Sequence, residues 1–118
     1  MTNPAYNKSK GAGFEIAVMK WFRAFGHTIE RLRLSGKDDE GDLVLIVSGK
    51  PYVFECKNVQ KLDLPKFWRE ASIEAENYAK ARGLEVVPPS YIIAKRRNAG
   101  IEQSWVITTL EKWTEQIG

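Results

Sequence analysis

The sequence has few cysteine and histidine residues, which limits disulfide bonding and catalysis by histidine. Among 118 residues there is one cysteine, Cys56, and one histidine, His27. A single cysteine excludes a disulfide within the chain and is typical of a reducing interior. His27 directly follows Gly26, at the expected end of a helix, which is more typical of a loop residue than of a catalytic base.

Long apolar runs are also absent. No run approaches the roughly 20 residues of a membrane span, and the first residues contain no apolar signal core. We therefore expect a cytoplasmic protein with no membrane partner. The composition is that of a globular protein, with 43% hydrophobic residues and a net charge of +3, which permits nucleic-acid binding without requiring it. Size predicts a single domain over residues 1–118, with residues 1–8 as a flexible arm.

The most informative stretch runs from Gly41 to Asn58. An apolar run follows Asp42, a turn follows at residues 48–50, and a second run ends in Glu55-Cys56-Lys57. This pattern predicts two antiparallel strands joined by a short loop. Because side chains alternate along a strand, Glu55 and Lys57 share one face, with their Cα atoms roughly 6.5–7 Å apart. The hairpin brings Asp42 beside them.

Two carboxylates and an amine at one sheet end suit metal-assisted phosphodiester hydrolysis. Asp42 and Glu55 offer the oxygen ligands that Mg²⁺ prefers, and the backbone carbonyl of Cys56 offers a third. Lys57 would orient the attacking water or offset charge in the transition state. The alternative is a hairpin end that carries only a surface salt bridge.

The motifs around this hairpin extend the pattern. In chain order they are Lys10-Gly11-Ala12-Gly13-Phe14-Glu15, Gly26 to Arg31, Ser35-Gly36, Gly41-Asp42 and Glu55-Cys56-Lys57. The Asp42…Glu55-x-Lys57 core resembles the PD-(D/E)XK nuclease superfamily. The ordered set resembles archaeal-type Holliday junction resolvases, including phage-carried relatives, well over residues 8–60. Gly41 replaces the proline of the superfamily motif, which is not a ligand.

The resemblance implies a restriction-endonuclease-like α/β fold, with a mixed central β-sheet flanked by helices. It implies Mg²⁺ as cofactor, with Mn²⁺ as a substitute, and it adds Glu15 to the metal site, either directly or through water. It also implies that Ser35 lies near the scissile phosphate. Each of these two residues has an ordinary alternative role. An acid in a first helical turn is favoured by the helix dipole, and Ser35 with Gly36 is typical of a turn.

The rest of the chain predicts further helices and strands. Apolar spacing predicts a helix from Ser9 to Phe25 and another from Pro65 to Ala81, with either Ile73 or Glu74 on the inner face of the second. Strands are predicted over residues 28–34, 90–94 and 105–108, and a closing helix over residues 110–117. Acids at positions 70, 74 and 76 stand where the resembled family often has a glutamine, so no role is assigned there.

Basic residues that would contact DNA are spread along the chain. With Ser35, the predicted DNA-binding residues are Lys10, Arg31, Arg33, Lys61, Lys95, Arg96 and Arg97. The run at 95–97 is the densest basic cluster and suits backbone contact beside a metal site. The alternative is a solvated cluster that keeps a strand edge soluble.

The predicted function is a structure-selective endonuclease that resolves four-way DNA junctions. The substrate follows from the resemblance alone. Because a junction has near twofold symmetry, a homodimer could present one site to each of two strands. The alternatives are a less selective nuclease for branched, flapped or nicked DNA, and a DNA-binding module without catalysis.

Overall fold

A computed structural model describes the backbone of residues 4–32 and 42–118, and the side chains of residues 13–32 and 42–118. In chain order the elements are α1 (Pro4–Ala24), β1 (Thr28–Arg31), β2 (Leu43–Val47), β3 (Lys50–Lys57), α2 (Leu64–Ala81), β4 (Ser90–Ala94), β5 (Trp105–Ile107) and α3 (Leu110–Ile117). A short 3₁₀ turn, Ile101–Gln103, precedes β5 and was not expected from the sequence.

The five strands form one mixed sheet in the order β1-β2-β3-β4-β5. The pairs β1/β2, β2/β3 and β4/β5 are antiparallel, and β3/β4 is parallel. Parallel neighbours need a crossover connection, which α2 supplies. As a result, the carboxyl ends of β3 and β4 lie side by side.

The predicted β2–β3 hairpin is present. Leu43 faces Phe54 and Val47 faces Lys50, so Lys50 belongs to the strand and only two residues make the turn. Those residues, Ser48 and Gly49, both have positive φ, at 51° and 77°. Two left-handed residues give a turn whose twist matches that of the flanking strands, which fixes the register of the hairpin.

Alternation along the strands sends apolar side chains to both faces of the sheet. One face packs against α1, with a buried cluster made of Phe14, Val18, Ile29, Leu43, Leu45, Phe54, Tyr91 and Ile93. The other face packs against α2 through Val44, Val53, Ala75, Tyr78, Phe67, Ala71, Ile92 and Ala94. Since Val53, Glu55 and Lys57 alternate with Phe54 and Cys56, the two charged residues belong to the α2 face.

The helices correct two details of the prediction. Helix α1 begins at Pro4, so residues 4–8 are helical rather than part of an arm; proline suits a first helical turn because its missing N–H has no intrahelical partner there. Glu15 therefore lies in the middle of α1, where the helix dipole does not account for it. In α2, Glu74 is buried and Ile73 is exposed, so it is Glu74 that lies on the inner face of this helix.

The termini of α2 and the elements after it follow the prediction closely. Pro65 lies in the first turn of α2, and the Asp63 carboxylate caps that turn by accepting from the Lys66 N–H at 3.3 Å. Gly83 follows the helix with φ of 64°. Within residues 4–32 and 42–118, no helix is both long and apolar enough to cross a membrane.

A matched pair of isoleucine substitutions tests this packing. Ile92 in β4 is 1% exposed and Ile73 in α2 is 55% exposed. We expect Ile92→Ala to lower the free energy of unfolding by about 2–5 kcal/mol, because it leaves a cavity under α2. Ile73→Ala should change it by only about 0.5 kcal/mol. Urea unfolding measures both, and equal losses would contradict the placement of β4 in the core.

Candidate active site

Asp42 joins the start of β2 to the end of β3. Its backbone N–H donates to the Phe54 carbonyl at 3.1 Å, and its own carbonyl accepts from the Leu32 N–H at 3.0 Å. Its side-chain Oδ2 accepts from the backbone N–H of Cys56 at 2.7 Å. Because Leu43 faces Phe54 in the hairpin register, Asp42 lies opposite Glu55, as the spacing predicts.

Glu55 is a buried carboxylate with one satisfied oxygen. The residue is only 6% exposed, and its Oε1 lies 3.2 Å from the Lys57 Nζ. Its Oε2 is buried and has no hydrogen-bond partner in the described part of the chain. A buried carboxylate oxygen without a donor or a cation is costly, so this atom marks a place where a ligand would be stabilised.

Lys57 is held by a third acid that the sequence left without a role. Its Nζ lies 2.8 Å from the Glu70 Oε2 and 4.4 Å from the centre of the Phe67 ring. Glu70 follows Phe67 by three residues and precedes buried Glu74 by four, so all three lie on the sheet-facing side of α2. That spacing is the signal by which Glu70 could have been recognised.

The two carboxylates determine the charge of Lys57. Burial alone would lower its pKa, but the hydrogen bond to Glu70 and the negative charge of Glu55 more than offset this, so the pKa lies above 10.5. Lys57 is therefore an ammonium at neutral pH. Any stabilisation by these contacts is fully present below pH 10.5 and is lost as the pH rises through the raised pKa.

Glu15 and Arg31 are paired with each other. The Glu15 Oε2 accepts from the Arg31 Nε at 2.9 Å and lies 2.7 Å from its Nη2. The resemblance implies a metal role for Glu15, and the sequence predicts a DNA-binding role for Arg31. Glu15 approaches from α1, on the opposite face of the sheet from Glu55, which explains why it is not gathered directly with the other two acids.

The Cys56 thiol lies close enough to several carboxylates for their negative charge to raise its pKa. Burial raises the pKa of its thiol, and the negative charges of four carboxylates raise it further, those of Asp42, Glu15, Glu55 and Glu74. Cys56 is consequently a neutral, partly buried thiol that packs against the α1-side core, in line with a packing role. These four carboxylates act on one thiol, and negative charge of this kind favours a nearby cation.

The oxygen atoms at this end of the sheet suit Mg²⁺ better than a metal that needs a full protein cage. In the described ranges, no group of three or more histidine, cysteine, aspartate or glutamate side chains is arranged around one point as a metal cage. Mg²⁺ does not require one, because it is usually held by one or two carboxylates with water and substrate phosphate. Asp42, the unpartnered oxygen of Glu55 and the Cys56 carbonyl fit that requirement.

The predicted DNA-binding residues fall into three groups. Lys95, Arg96 and Arg97 follow β4, and the Lys95 N–H donates to the Lys57 carbonyl at 3.0 Å, so this run adjoins the acidic site. Lys61 is exposed in the connection before α2, and Arg31 is bound to Glu15. Lys10 lies in α1 with its side chain outside the described part, and Arg33 and Ser35 lie outside the described residues. The motif position Gly41, which was given no DNA role, lies outside them too.

Comparison with known proteins places the fold. A search with protein-family models found no match for the chain, and a search of curated protein sequences found none either. Among solved structures, the chain is similar to Hjc, a Holliday junction resolvase from Archaeoglobus fulgidus, with a TM-score of 0.52 and 15% sequence identity. The match covers 90% of this chain and 88% of that one. The expected restriction-endonuclease-like fold is thus confirmed, and with it the resemblance to archaeal resolvases at the level of the fold.

The contact between Lys57 and Glu70 leads to a prediction about ionisation. We expect Glu70→Gln to lower the pKa of Lys57, because the variant keeps the burial and removes one of the two negative charges. The pH titration of the side-chain NMR signals of isotope-labelled lysine measures it. Glu76→Gln, on the exposed side of α2, is the matched control and should leave the pKa of Lys57 unchanged. An unaltered titration of Lys57 in the Glu70 variant would contradict the contact.

Proposed function

We propose that this protein is a metal-dependent endonuclease that resolves four-way DNA junctions. One observation supports this above the others: Asp42, Glu55 and Lys57 converge at one end of the central sheet, where a buried oxygen of Glu55 has no partner in the described residues. A surface salt bridge, the alternative for these residues, would not require a carboxylate to be buried with one oxygen unsatisfied.

The side chains divide the chemistry among themselves. Asp42, Glu55 and the Cys56 carbonyl would hold Mg²⁺ or Mn²⁺, and Glu15 would assist, either directly or through water. When bound, the cation would polarise a phosphoryl oxygen and lower the pKa of a coordinated water. The hydrolysis proposed is in-line attack by water, which leaves 5′-phosphate ends.

Lys57 contributes positive charge rather than proton abstraction. Its raised pKa keeps it protonated, so it would orient the attacking water or offset the negative charge that develops on the phosphorus oxygens. Glu70 lies 2.8 Å from the ammonium and limits its positions. The Lys57 Nζ lies 4.4 Å from the centre of the Phe67 ring. The ring excludes water from one side of the amine, and this strengthens the electrostatic contacts of Lys57.

The choice of a four-way junction rests on the likeness of the fold to a Holliday junction resolvase. The basic run after β4 adjoins the acidic site and offers contacts to the DNA backbone. A less selective nuclease and a non-catalytic binding module would share these features. Cleavage of a junction in preference to a flap and a linear duplex would distinguish a resolvase from a less selective nuclease. Binding of the junction without cleavage would establish a non-catalytic binding module.

A homodimer follows from the same proposal. A twofold dimer could place one site on each of two strands of a near-symmetric junction. The chain exposes apolar side chains along β5 and α3 at Val106, Leu110, Trp113 and Ile117, and the first three of them line one groove. We name these four side chains the β5–α3 surface and propose a second copy as its occupant. Exposed patches of this kind mark interaction sites.

Substitution of a metal ligand tests the proposed hydrolysis. We expect Asp42→Asn to reduce Mg²⁺-dependent cleavage of a synthetic four-way junction by about 100-fold or more, since the stabilisation by a bound cation is worth several kcal/mol and each 1.4 kcal/mol is tenfold. Binding of the junction should persist. Asp63→Asn is the matched control, because asparagine also caps a helix. Undiminished cleavage by the Asp42 variant would remove the metal proposal.

A charge on the β5–α3 surface tests the dimer. Leu110 is 81% exposed in the first turn of α3, where an aspartate is favoured by the helix dipole. We expect the wild-type protein to sediment as a dimer and Leu110→Asp to shift it towards monomer in analytical ultracentrifugation. Val86→Asp, at a 78% exposed position outside the surface, serves as control. A monomeric wild type, or a dimer unaffected by the Leu110 change, would contradict this interface.

A further inference from the structure

A cleft lies directly beyond the carboxyl ends of the parallel strands β3 and β4. It is lined by residues 58–60, which follow Lys57, and by residues 95–98, which follow Ala94. The N–H of Lys95 donates to the Lys57 carbonyl at 3.0 Å, so the two lining segments are joined at their base. The cleft therefore has a fixed position relative to the amine of the candidate active site.

The lining is cationic and carries no acid. It contains Lys95, Arg96 and Arg97, and its remaining members are Asn58, Val59, Gln60 and Asn98. Lys95 and Arg97 are exposed, and neither forms an ion pair with any described residue. This contrasts with the acidic site beside it, where the ammonium of Lys57 is shared between two carboxylates. A negative centre and a positive cleft thus adjoin each other.

Arg96 is oriented before any ligand arrives. Its Nη1 donates to the Gln103 Oε1 at 3.1 Å, and its guanidinium lies 4.6 Å from the centre of the Trp105 ring. Both partners are neutral, so the contacts position the cation without cancelling its charge. A planar cation held in this way is suited to phosphate, because its remaining N–H groups donate in a fixed geometry.

We propose that this cleft is a subsite for a backbone phosphate of the DNA strand that the active site cuts. The inference rests on the proposed nuclease function and adds to it the amide residues Asn58 and Gln60 and a defined position along the strand. Extended residues rise about 3.3 Å each, so residues 58–60 lie within about 10 Å of Lys57 along the chain. A DNA strand carries one phosphate per 3.4 Å of helix axis. The subsite would hold a phosphate within about three linkages of the bond that is cut.

Methylphosphonate scanning tests the subsite without relying on catalysis. Single neutral linkages are introduced one at a time into a four-way junction, around the cleavage point, and binding is measured in EDTA. In the wild type we expect one linkage near the cleavage point to weaken binding by about fivefold, the upper range for an exposed ion pair. In the double variant Lys95→Gln/Arg97→Gln, the same linkage should weaken binding by less than in the wild type, because two of the three cationic partners have been removed and only Arg96 remains.

The matched control and the salt dependence complete the test. Lys50→Gln removes an exposed lysine at the opposite end of β3 and should respond to the neutral linkage as the wild type does. In the double variant, the slope of log affinity against log salt should fall by about one for each phosphate that is no longer neutralised by a side chain.

The outcomes for the subsite and for the nuclease are distinct. Equal weakening by that linkage in wild type and double variant would overturn the subsite, even if the wild type cleaves junctions in Mg²⁺. A neutral linkage that weakens binding less in the double variant than in the wild type would support the subsite. If the wild type also failed to cleave junctions in Mg²⁺, the nuclease would be overturned while the subsite stood.

Discussion

The bond between the Asp42 carboxylate and the N–H of Cys56, at 2.7 Å, is the interaction on which the site depends. Strand β2 begins at Leu43, so this N–H lies beyond the end of the β2 ladder. A side chain there takes the place of a backbone acceptor, which extends the pairing by one residue. The same bond holds the carboxylate beside Glu55, so one interaction both completes the sheet and assembles the site.

The two faces of the sheet explain how the acids are distributed. Glu55 and Lys57 face α2, and the apolar residues of that helix cover them, which leaves Glu55 with one unpartnered oxygen among the described residues. Glu15 comes from α1 on the other face and is bound by Arg31. A buried carboxylate with one unsatisfied oxygen reduces stability, and such local conflicts are expected at functional positions. Here the conflict lies at the end of the sheet where Asp42, Glu55 and Lys57 meet.

Much of this could be read from local patterns. Alternation over Asp42 to Lys57 and a turn after Val47 are short-range signals, and they predicted the hairpin and the approach of Asp42 to Glu55. The register differs from the predicted turn over residues 48–50, because Lys50 pairs with Val47 and only Ser48 and Gly49 form the turn. The ends of α2 followed from Pro65 and Gly83 in the same way. Local chemistry was insufficient at the amino end, where a favourable first-turn proline lies well before the apolar stripe and α1 is longer than that stripe suggested.

What the sequence determined by itself was the order of the strands along the chain and which residues share a face, because the two-residue period is a property of each strand alone. The tertiary structure decided what meets across elements. It paired Glu70 with Lys57, chose Glu74 over Ile73 for burial, and joined Glu15 to Arg31. It also placed the basic run after β4 beside the acidic site, through the parallel pairing of β3 with β4. These contacts depend on how α1 and α2 rotate and dock on the sheet, and that is set by the packing of many distant side chains at once.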